Sequence, residues 1–204
     1  MKYLKLFESL EDIHKICRKY KIKNYTINSD GSIDVDGSVN LSLLNLTKLP
    51  LKFRNVSGSF NCYHNQLTTL EGCPTNIRGN FYCDNNNLTS LEGSPNSVYG
   101  YFNCDYNNIT SLEGAPTYVG GYFNCGYNKI TSLEGFQSHI VGNFYCGYNP
   151  VFEIWKLFRD KSRIELFNDY DIIRGTDIVI DRLNDFLITI GKKPVKSVNG
   201  YNNI

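Results

Sequence analysis

Five cysteines follow one another at intervals of 21 residues, and thiols in such a series first suggest metal or redox chemistry. They are Cys62, Cys83, Cys104, Cys125 and Cys146. A metal site needs thiolates that converge on one point, whereas a column with one long period forms a line. The total of seven cysteines is odd, which does not favour a disulfide framework. We therefore expect the column to be structural, with each cysteine filling an inner position as a small hydrophobic residue.

The remaining reactive residues do not form a recognisable site. His14 and Cys17 are three residues apart, which is a possible spacing for a base and a nucleophile on one helix, but such a pair also needs an orienting third group. The sequence has no GxxxxGK[ST] phosphate loop and no paired C-x-x-C or H-x-x-x-H metal spacing. We expect no enzymatic activity, no cofactor and no metal site.

A row of acidic residues shares the 21-residue period. It consists of Glu71, Glu92, Glu113 and Glu134. Calcium requires several convergent oxygens for each ion, and a row one repeat apart does not supply them. We expect these carboxylates to be exposed to solvent.

Three further columns have the same period and predict the elements that position all these side chains. Their members are Gly37, Gly58, Gly79, Gly100, Gly121 and Gly142; Phe60, Phe81, Phe102, Phe123 and Phe144; and Asn65, Asn86, Asn107, Asn128 and Asn149. A fixed period in this range is typical of stacked repeats. The Phe-x-Cys segment predicts a strand whose named side chains face inward, stacked at ~4.8 Å in a parallel sheet. We expect the asparagines to turn inward and bond backbone groups, and the glycines to adopt positive φ or to allow close approach.

The repeat resembles that of a known family. The segment F-x-C-x-x-N-x-L matches the core of the leucine-rich repeat, L-x-L-x-x-N-x-L, over about 120 residues. It departs from that family by placing Val/Ile-x-Gly-x before Phe, and Cys where Leu or Val is usual. The whole chain resembles leucine-rich repeat proteins of large tailed phages. The resemblance implies a leucine-rich repeat solenoid of about six 21-residue coils, with a parallel β-sheet on the concave face, a mostly irregular convex side and α-helical N- and C-terminal caps. It implies no particular activity.

The period predicts three regions. Residues 1–38 form an N-terminal cap, with a helix over 1–24 and a hairpin that turns at Asp30-Gly31. Residues 39–155 form the solenoid, and residues 156–204 form a C-terminal helical cap. We expect one helix to open at Pro150, a later one to have Thr176 as its N-cap, and residues 201–204 to be a polar tail.

The outward strand positions are the candidate binding surface, because core packing does not require their residue types. The predicted partner-binding residues are Asn61, Tyr63, Asn80, Tyr82, Asp84, Tyr101, Asn103, Asp105, Tyr122, Asn124 and Tyr145. A second row runs beside them and consists of His64, Asn85, Tyr106, Tyr127 and Tyr148. Tyrosine offers large contact area and asparagine adaptable hydrogen bonding, which suits recognition of another protein. The alternative is that these side chains form cross-strand ladders that only stabilise the sheet.

Composition and charge narrow the class of partner. A net charge of +1 does not favour nucleic acid or a membrane surface, and no segment approaches the ~20 apolar residues of a membrane span. The basic start is followed too soon by Glu8 and Glu11 for a secretory signal. We expect a cytoplasmic, non-enzymatic protein-protein interaction module. The phage resemblance implies the host cytosol and a host or virion protein as partner, and the oligomeric state is left open.

Three alternatives remain at this point. The first is glycan binding, because tyrosine rings stack on sugars and asparagine bonds their hydroxyls. The second is a protein packaged in the virion, because Leu6-Phe7-Glu8 resembles the sequence at which targeting peptides of internal capsid proteins are cut. The third is an effector role of the C-terminal helical segment around Trp155, although a cap that covers the last coil is the simpler interpretation.

Overall fold

The structure, a computed structural model, describes residues 2–134 and 136–204, with side chains from Leu10 onward. The chain forms an α/β fold. Within the described residues, its helices are α1 (Lys2–Lys19), α2 (Phe152–Phe158), α3 (Ile164–Asp169) and α4 (Ile180–Thr189), and a 3-10 turn spans Lys161–Arg163. The side chains of Leu6, Phe7 and Glu8, which carry the possible processing sequence, lie outside the described set.

The Phe-x-Cys segments build a parallel sheet, which we call sheet B. Its strands are β3 (Val39–Asn40), β5 (Phe60–Asn61), β7 (Phe81–Tyr82), β9 (Phe102–Asn103), β11 (Phe123–Asn124) and β13 (Phe144–Tyr145). Each phenylalanine pairs with the phenylalanine 21 residues later, as Phe81 does with Phe102. The predicted parallel strands at this segment are therefore confirmed.

A second sheet, sheet A, runs beside the first. Its strands are β1 (Tyr25–Ile27), β2 (Ile33–Val35), β4 (Phe53–Val56), β6 (Asn76–Ile77), β8 (Ser97–Val98), β10 (Tyr118–Val119) and β12 (His139–Ile140). From β2 onward the strands pair in parallel, also 21 residues apart from β4 to β12. Only one parallel sheet was expected from the sequence. The Val/Ile-x-Gly-x segment is instead a second strand in each repeat.

The glycine column lies at the bend between the two strands of a repeat. Gly79 donates its amide to the Gly58 carbonyl at 2.9 Å, and Gly100 donates to Gly79 at the same distance. A Cβ atom built on Gly79 would lie 2.7 Å from the carbonyl carbon of Gly58 and from the Ser59 nitrogen. Of the two roles predicted for this column, close backbone approach therefore applies to Gly79.

The core is a set of stacked columns. The rings from Phe60 to Phe144 follow one another with centroid separations of 6.0, 5.4, 4.8 and 5.7 Å. The five cysteines of the column are at most 1 % exposed, and the leucine and isoleucine columns behind them are fully buried from Leu67 to Leu133. The expectation that cysteine fills inner positions is confirmed.

The N-terminal region follows the prediction in outline. The helix ends at Lys19 rather than at residue 24, and Lys21 has a positive φ of 55° that stops it. The hairpin is confirmed: β1 and β2 pair antiparallel across a turn in which Gly31 has φ +80°. The first hairpin strand lies at the end of sheet A.

The C-terminal region contains three strands that its sequence did not predict. Strands β14 (Ile173–Arg174), β15 (Asp177–Ile178) and β16 (Asn202–Asn203) form a small sheet C. The prediction of a polar tail over 201–204 is wrong, because β16 pairs there with β15 and the Tyr201 hydroxyl donates to the Thr131 carbonyl at 2.7 Å. Thr176 is not an N-cap: it lies in the turn between β14 and β15, and the residue before α4 is Val179. The helix expected to open at Pro150 begins two residues later: α2 starts at Phe152, and Val151 is its N-cap.

Among the helices that the structure describes, none combines the length and the apolar composition needed to cross a membrane.

Candidate binding surface on sheet B

The strands of sheet B place the predicted binding residues on one face. In each strand the phenylalanine is buried, so the next residue points away from the core. The outward rows hold all eleven predicted residues, and none of them is buried: Asn61, Tyr63, Asn80, Tyr82, Asp84, Tyr101, Asn103, Asp105, Tyr122, Asn124 and Tyr145. Because the strands pair in register, equivalent residues of successive repeats are neighbours. We call this surface the outer face of sheet B.

Hydrogen bonds hold several of these side chains in place. Asn80 donates from Nδ2 to the Tyr82 hydroxyl at 3.0 Å and accepts the Tyr101 amide through Oδ1 at 2.8 Å. In the last repeat, Asn143 donates in the same way to the Tyr145 hydroxyl at 2.9 Å. The asparagines therefore fix tyrosine rings on the face.

The tyrosines of the face contact one another. The rings of Tyr101 and Tyr122 are stacked with centroids 4.1 Å apart and an interplanar angle of 13°, and Tyr145 meets Tyr122 edge-on at 6.0 Å. Partial burial, together with the neighbouring Tyr82 and Tyr101, raises the pKa of Tyr122. Tyr122 is thus the central ring of this cluster.

A second tyrosine ladder runs beside the strands. Tyr106, Tyr127 and Tyr148 stack with centroid separations of 4.2 and 4.1 Å, and they are 49 %, 40 % and 73 % exposed. All three have positive φ, between 49° and 57°, a conformation that is uncommon for residues other than glycine and asparagine. The neighbouring Tyr127 also raises the pKa of Tyr148. We call these three residues the edge ladder.

The charge of the face is negative. The outward strand positions carry Asp84 and Asp105 and no lysine or arginine. Asp105 accepts a hydrogen bond from Asn124 Nδ2 at 3.0 Å. Partial burial and the nearby Asp84 carboxylate raise the pKa of Asp105 above its ordinary value. The face therefore combines aromatic rings, amides and carboxylates.

We expect Asp105→Asn to stabilise the fold at neutral pH. A raised pKa means that the folded protein binds the proton more tightly than the unfolded chain, so the ionised carboxylate costs stability above that pKa. The gain in the urea midpoint should therefore shrink as the pH falls through the raised pKa towards the ordinary value of 3.8. Urea unfolding of the wild type and of Asp105→Asn across this pH range measures the gain.

Asp160→Asn is the control of opposite sign. The Ser162 hydroxyl and amide bond the Asp160 carboxylate at 2.6 and 3.0 Å and lower its pKa. This variant should lose stability at neutral pH, and the loss should disappear as the pH falls through the lowered pKa. A destabilised Asp105→Asn at pH 7 would contradict the prediction.

The possible base and nucleophile of α1 are His14 and Cys17, and both take part in packing or hydrogen bonding within the fold. His14 Nδ1 lies 2.5 Å from the Tyr25 hydroxyl, and Cys17 is fully buried. Burial raises the pKa of the Cys17 thiol, and it raises that of Cys146 in the repeat column to about 12. Since the thiolate is the reactive form, these thiols are in their unreactive state at neutral pH. Among the described residues, no three His, Cys, Asp or Glu side chains are placed to hold a metal ion.

The edge ladder was seen in the sequence only as a row beside the predicted site. Its signal is Asn85, which stands 21 residues before Tyr106, since asparagine favours positive φ; Leu43 and His64 have the same conformation in the earlier repeats. Sequence alone gives no reason for tyrosine to follow in such a column, and so the ladder was not among the predicted binding residues.

Comparisons of the chain with protein-family models, with curated proteins and with solved structures find no match.

Proposed function

We propose that the protein is a non-enzymatic interaction module, built as a leucine-rich repeat solenoid, that binds another protein through the outer face of sheet B. The pairing of equivalent residues 21 positions apart and the F-x-C-x-x-N-x-L unit support the solenoid. Sheet B would form its concave face, which repeat proteins commonly use for binding. By the phage resemblance, the partner is a host or virion protein in the host cytosol.

The edge ladder is the observation that carries this proposal. Holding a tyrosine in the left-handed region costs roughly 1–2 kcal/mol, and the preceding repeat meets the same backbone requirement with Asn85. Ring stacking returns roughly 0.5–1.5 kcal/mol for each pair, so stability alone does not favour tyrosine clearly. Yet three successive repeats place a large exposed ring there. Side chains in costly conformations at exposed positions are typical of functional surfaces.

The chemistry of the face indicates the kind of partner surface it fits. Rigid tyrosine rings provide contact area at low entropic cost, and the asparagines provide hydrogen bonds in either direction. Asp84 and Asp105 make the face complementary to a surface with lysine or arginine, which can also lie over tyrosine rings. We therefore expect a partner whose contacting surface is basic rather than acidic.

The test replaces the edge ladder by the residue that the chain itself uses at this position. We expect Tyr106→Asn/Tyr127→Asn/Tyr148→Asn to fold with a free energy of unfolding within about 1 kcal/mol of the wild type and to lose at least ~100-fold in partner affinity. The partner is first identified by mass spectrometry of proteins retained from host lysate. Its affinity for both forms is then measured by surface plasmon resonance.

The matched control removes two tyrosines from sheet A. Tyr99 and Tyr118 have ring centroids 5.4 Å apart, and Tyr99 is 59 % exposed. Tyr99→Asn/Tyr118→Asn should bind the partner as the wild type does. Equal affinity of the edge-ladder variant and the wild type would rule out the edge ladder as a contact of the partner.

Glycan binding is the second candidate, and the asparagine–tyrosine pairs favour it. Asn80–Tyr82 and Asn143–Tyr145 each present an amide beside a ring, a combination that can bond sugar hydroxyls and stack on a sugar. A glycan array probed with the wild type and with a Tyr82→Ala/Tyr145→Ala variant distinguishes the two candidates. A glycan signal that this variant loses, without any retained protein, would favour this alternative.

A further inference from the structure

Successive repeats of sheet B are joined by backbone hydrogen bonds in which alternate residues donate their amides to the following repeat and the residues between them donate back. The amide of each phenylalanine, of the cysteine two residues on and of the residue two beyond that points to the next repeat. In the last pair of strands, Phe123, Cys125 and Tyr127 donate to the carbonyls of Asn143, Tyr145 and Gly147, each at 2.9 Å. The same three donors recur in the repeats before it.

The last strand, β13, has the same donors and no following repeat. Its equivalent amides belong to Phe144, Cys146 and Tyr148. In the parts of the chain that the structure describes, none of these three amides donates to a backbone or side-chain acceptor. β13 is also the end strand of sheet B. Its edge therefore presents three unpaired donors at two-residue spacing.

The neighbouring end of sheet A is capped by a side chain of the C-terminal region. Val141 donates its amide back to the carbonyl of Val119 in the preceding repeat, and the groups at this end of the sheet include the carbonyls of residues 140–142. The Lys161 ammonium donates to the carbonyls of Ile140, Val141 and Gly142. The C-terminal region thus caps the end of one sheet and leaves the end of the other open.

A cleft lies along the open edge. It has a volume of about 620 Å³ and is bounded on one side by residues 141–147 and on the other by Phe152, Trp155 and the segment from Arg159 to Lys161. The Trp155 ring meets Phe144 edge-on, with centroids 5.0 Å apart. The place that a further phenylalanine of the column would fill is therefore occupied, while the space beside the backbone of β13 is not.

We propose that this cleft is a strand-addition site, in which β13 pairs in parallel with an extended peptide segment of a partner protein. Three donors at alternate residues match the carbonyl spacing of an extended chain, which repeats at roughly 6.6–6.8 Å. Because Trp155 fills the inner place, the side chains of the segment that point inward are small. Those that point outward are free to be large and continue the outer face beside Tyr145. The site shares only the backbone amide of Tyr148 with the edge ladder, and the inference does not rest on the proposed function.

The probe is a synthetic peptide that copies the strand segment used by the preceding repeat. Residues 142–148 supply the three carbonyls to which Phe123, Cys125 and Tyr127 donate. With its two inward side chains shortened, this segment becomes Gly-Asn-Ala-Tyr-Ser-Gly-Tyr. The readout is amide hydrogen exchange of the intact protein, followed residue by residue by NMR.

We expect the edge amides of Phe144, Cys146 and Tyr148 to exchange at least ~100-fold faster than their three counterparts in the preceding repeat when no peptide is present. With about 1 mM peptide, the edge amides should slow by about tenfold or more, and the counterparts should not change. Edge amides that are already as slow as their counterparts would overturn the proposal, because something within the chain would then cover the edge. Edge amides that the peptide leaves unchanged would overturn it as well.

N-methylated peptides provide the matched control. The parallel register implies that the fourth residue of the peptide donates its amide to the Phe144 carbonyl, as Tyr145 does to Phe123, whereas the amide of the third residue points away from the protein. Methylation of the fourth amide should abolish the slowing, and methylation of the third should preserve it. Equal effects of the two methyl groups would contradict strand addition.

Two further experiments distinguish the strand-addition site from an anion site and from the edge ladder. Inorganic phosphate that slows the edge amides when the peptide does not would make the cleft an anion site and overturn the proposal. A Tyr106→Asn/Tyr127→Asn variant, which keeps Tyr148, should respond to the peptide as the wild type does, because the contacts come from the backbone of residues 144–148. Loss of partner binding with an intact peptide response would therefore separate the two surfaces.

Discussion

Asn107→Ala is expected to lower the free energy of unfolding by about 4 kcal/mol. The Asn107 side chain is only 8 % exposed and makes four hydrogen bonds to backbone. Its Nδ2 donates to the carbonyls of Cys83, Cys104 and Asp105 at 3.1 to 3.2 Å, and its Oδ1 accepts the Leu88 amide at 3.0 Å. Alanine supplies none of these partners, and each buried polar group left unpaired costs roughly 1–3 kcal/mol.

The effect should extend beyond one repeat. Asn107 bonds the repeat before it through Cys83 and Leu88 and its own repeat through Cys104. Stability in stacked repeats is approximately a sum of repeat and interface contributions, so the loss of an interface weakens the whole array. We therefore expect the urea unfolding transition of Asn107→Ala to shift to a lower midpoint.

The neighbouring Asn108 provides the control. Its amide nitrogen donates to the Leu88 carbonyl at 2.8 Å, and its side chain makes no hydrogen bond within the described residues. Asn108→Ala should change the free energy of unfolding by no more than about 0.5 kcal/mol. A comparable loss in the two variants would show that the asparagine column does not hold the repeats through its side chains.

The inward asparagines were predictable because a column adds information that a single residue lacks. One asparagine between two apolar segments suggests only a turn, but Asn86, Asn107, Asn128 and Asn149 at a fixed interval must occupy equivalent places in every repeat. An amide next to buried phenylalanine and leucine columns has to be satisfied by backbone groups. The expectation was correct for all four.

The repeat strands of sheet A, from β4 to β12, and the strands of sheet C were missed for different physical reasons. A two-residue strand such as Asn76–Ile77 is too short to show an alternation of apolar and polar residues. Sheet C joins Asp177 to Asn202, and no local pattern specifies a pairing between residues so far apart along the chain. In both cases the pairing depends on tertiary contacts, which local sequence does not encode by itself.

The candidate surface was predictable as a face but not in its detail. Strand alternation places Tyr82 and Asn103 outward once Phe81 and Phe102 are assigned to the core. The stacking of Tyr106 on Tyr127 depends on their positive φ, and tyrosine gives no local indication of that conformation. The outward rows follow from sequence, whereas the edge ladder required the structure.

Gly79→Ala is the second change with a large expected effect, a loss of about 3 kcal/mol in the free energy of unfolding. The new Cβ atom would lie 2.7 Å from the carbonyl carbon of Gly58 and from the nitrogen of Ser59, and both are backbone atoms that cannot rotate away. It would also lie 2.5 Å from Ser59 Oγ, which accepts the Asn80 amide at 3.0 Å. The two repeats would have to separate locally, which strains the hydrogen bonds on both sides of the bend.

Gly147→Ala tests whether the cost comes from this approach or from the residue type. A Cβ atom on Gly147 meets no other heavy atom within 4 Å. Since alanine restricts the unfolded chain more than glycine does, Gly147→Ala should be neutral or stabilising by up to ~1 kcal/mol. Urea unfolding of the two variants beside the wild type measures the difference. A Gly79→Ala protein as stable as Gly147→Ala would mean that the repeats can move apart at the bend without loss, and that the glycine column does not set their spacing.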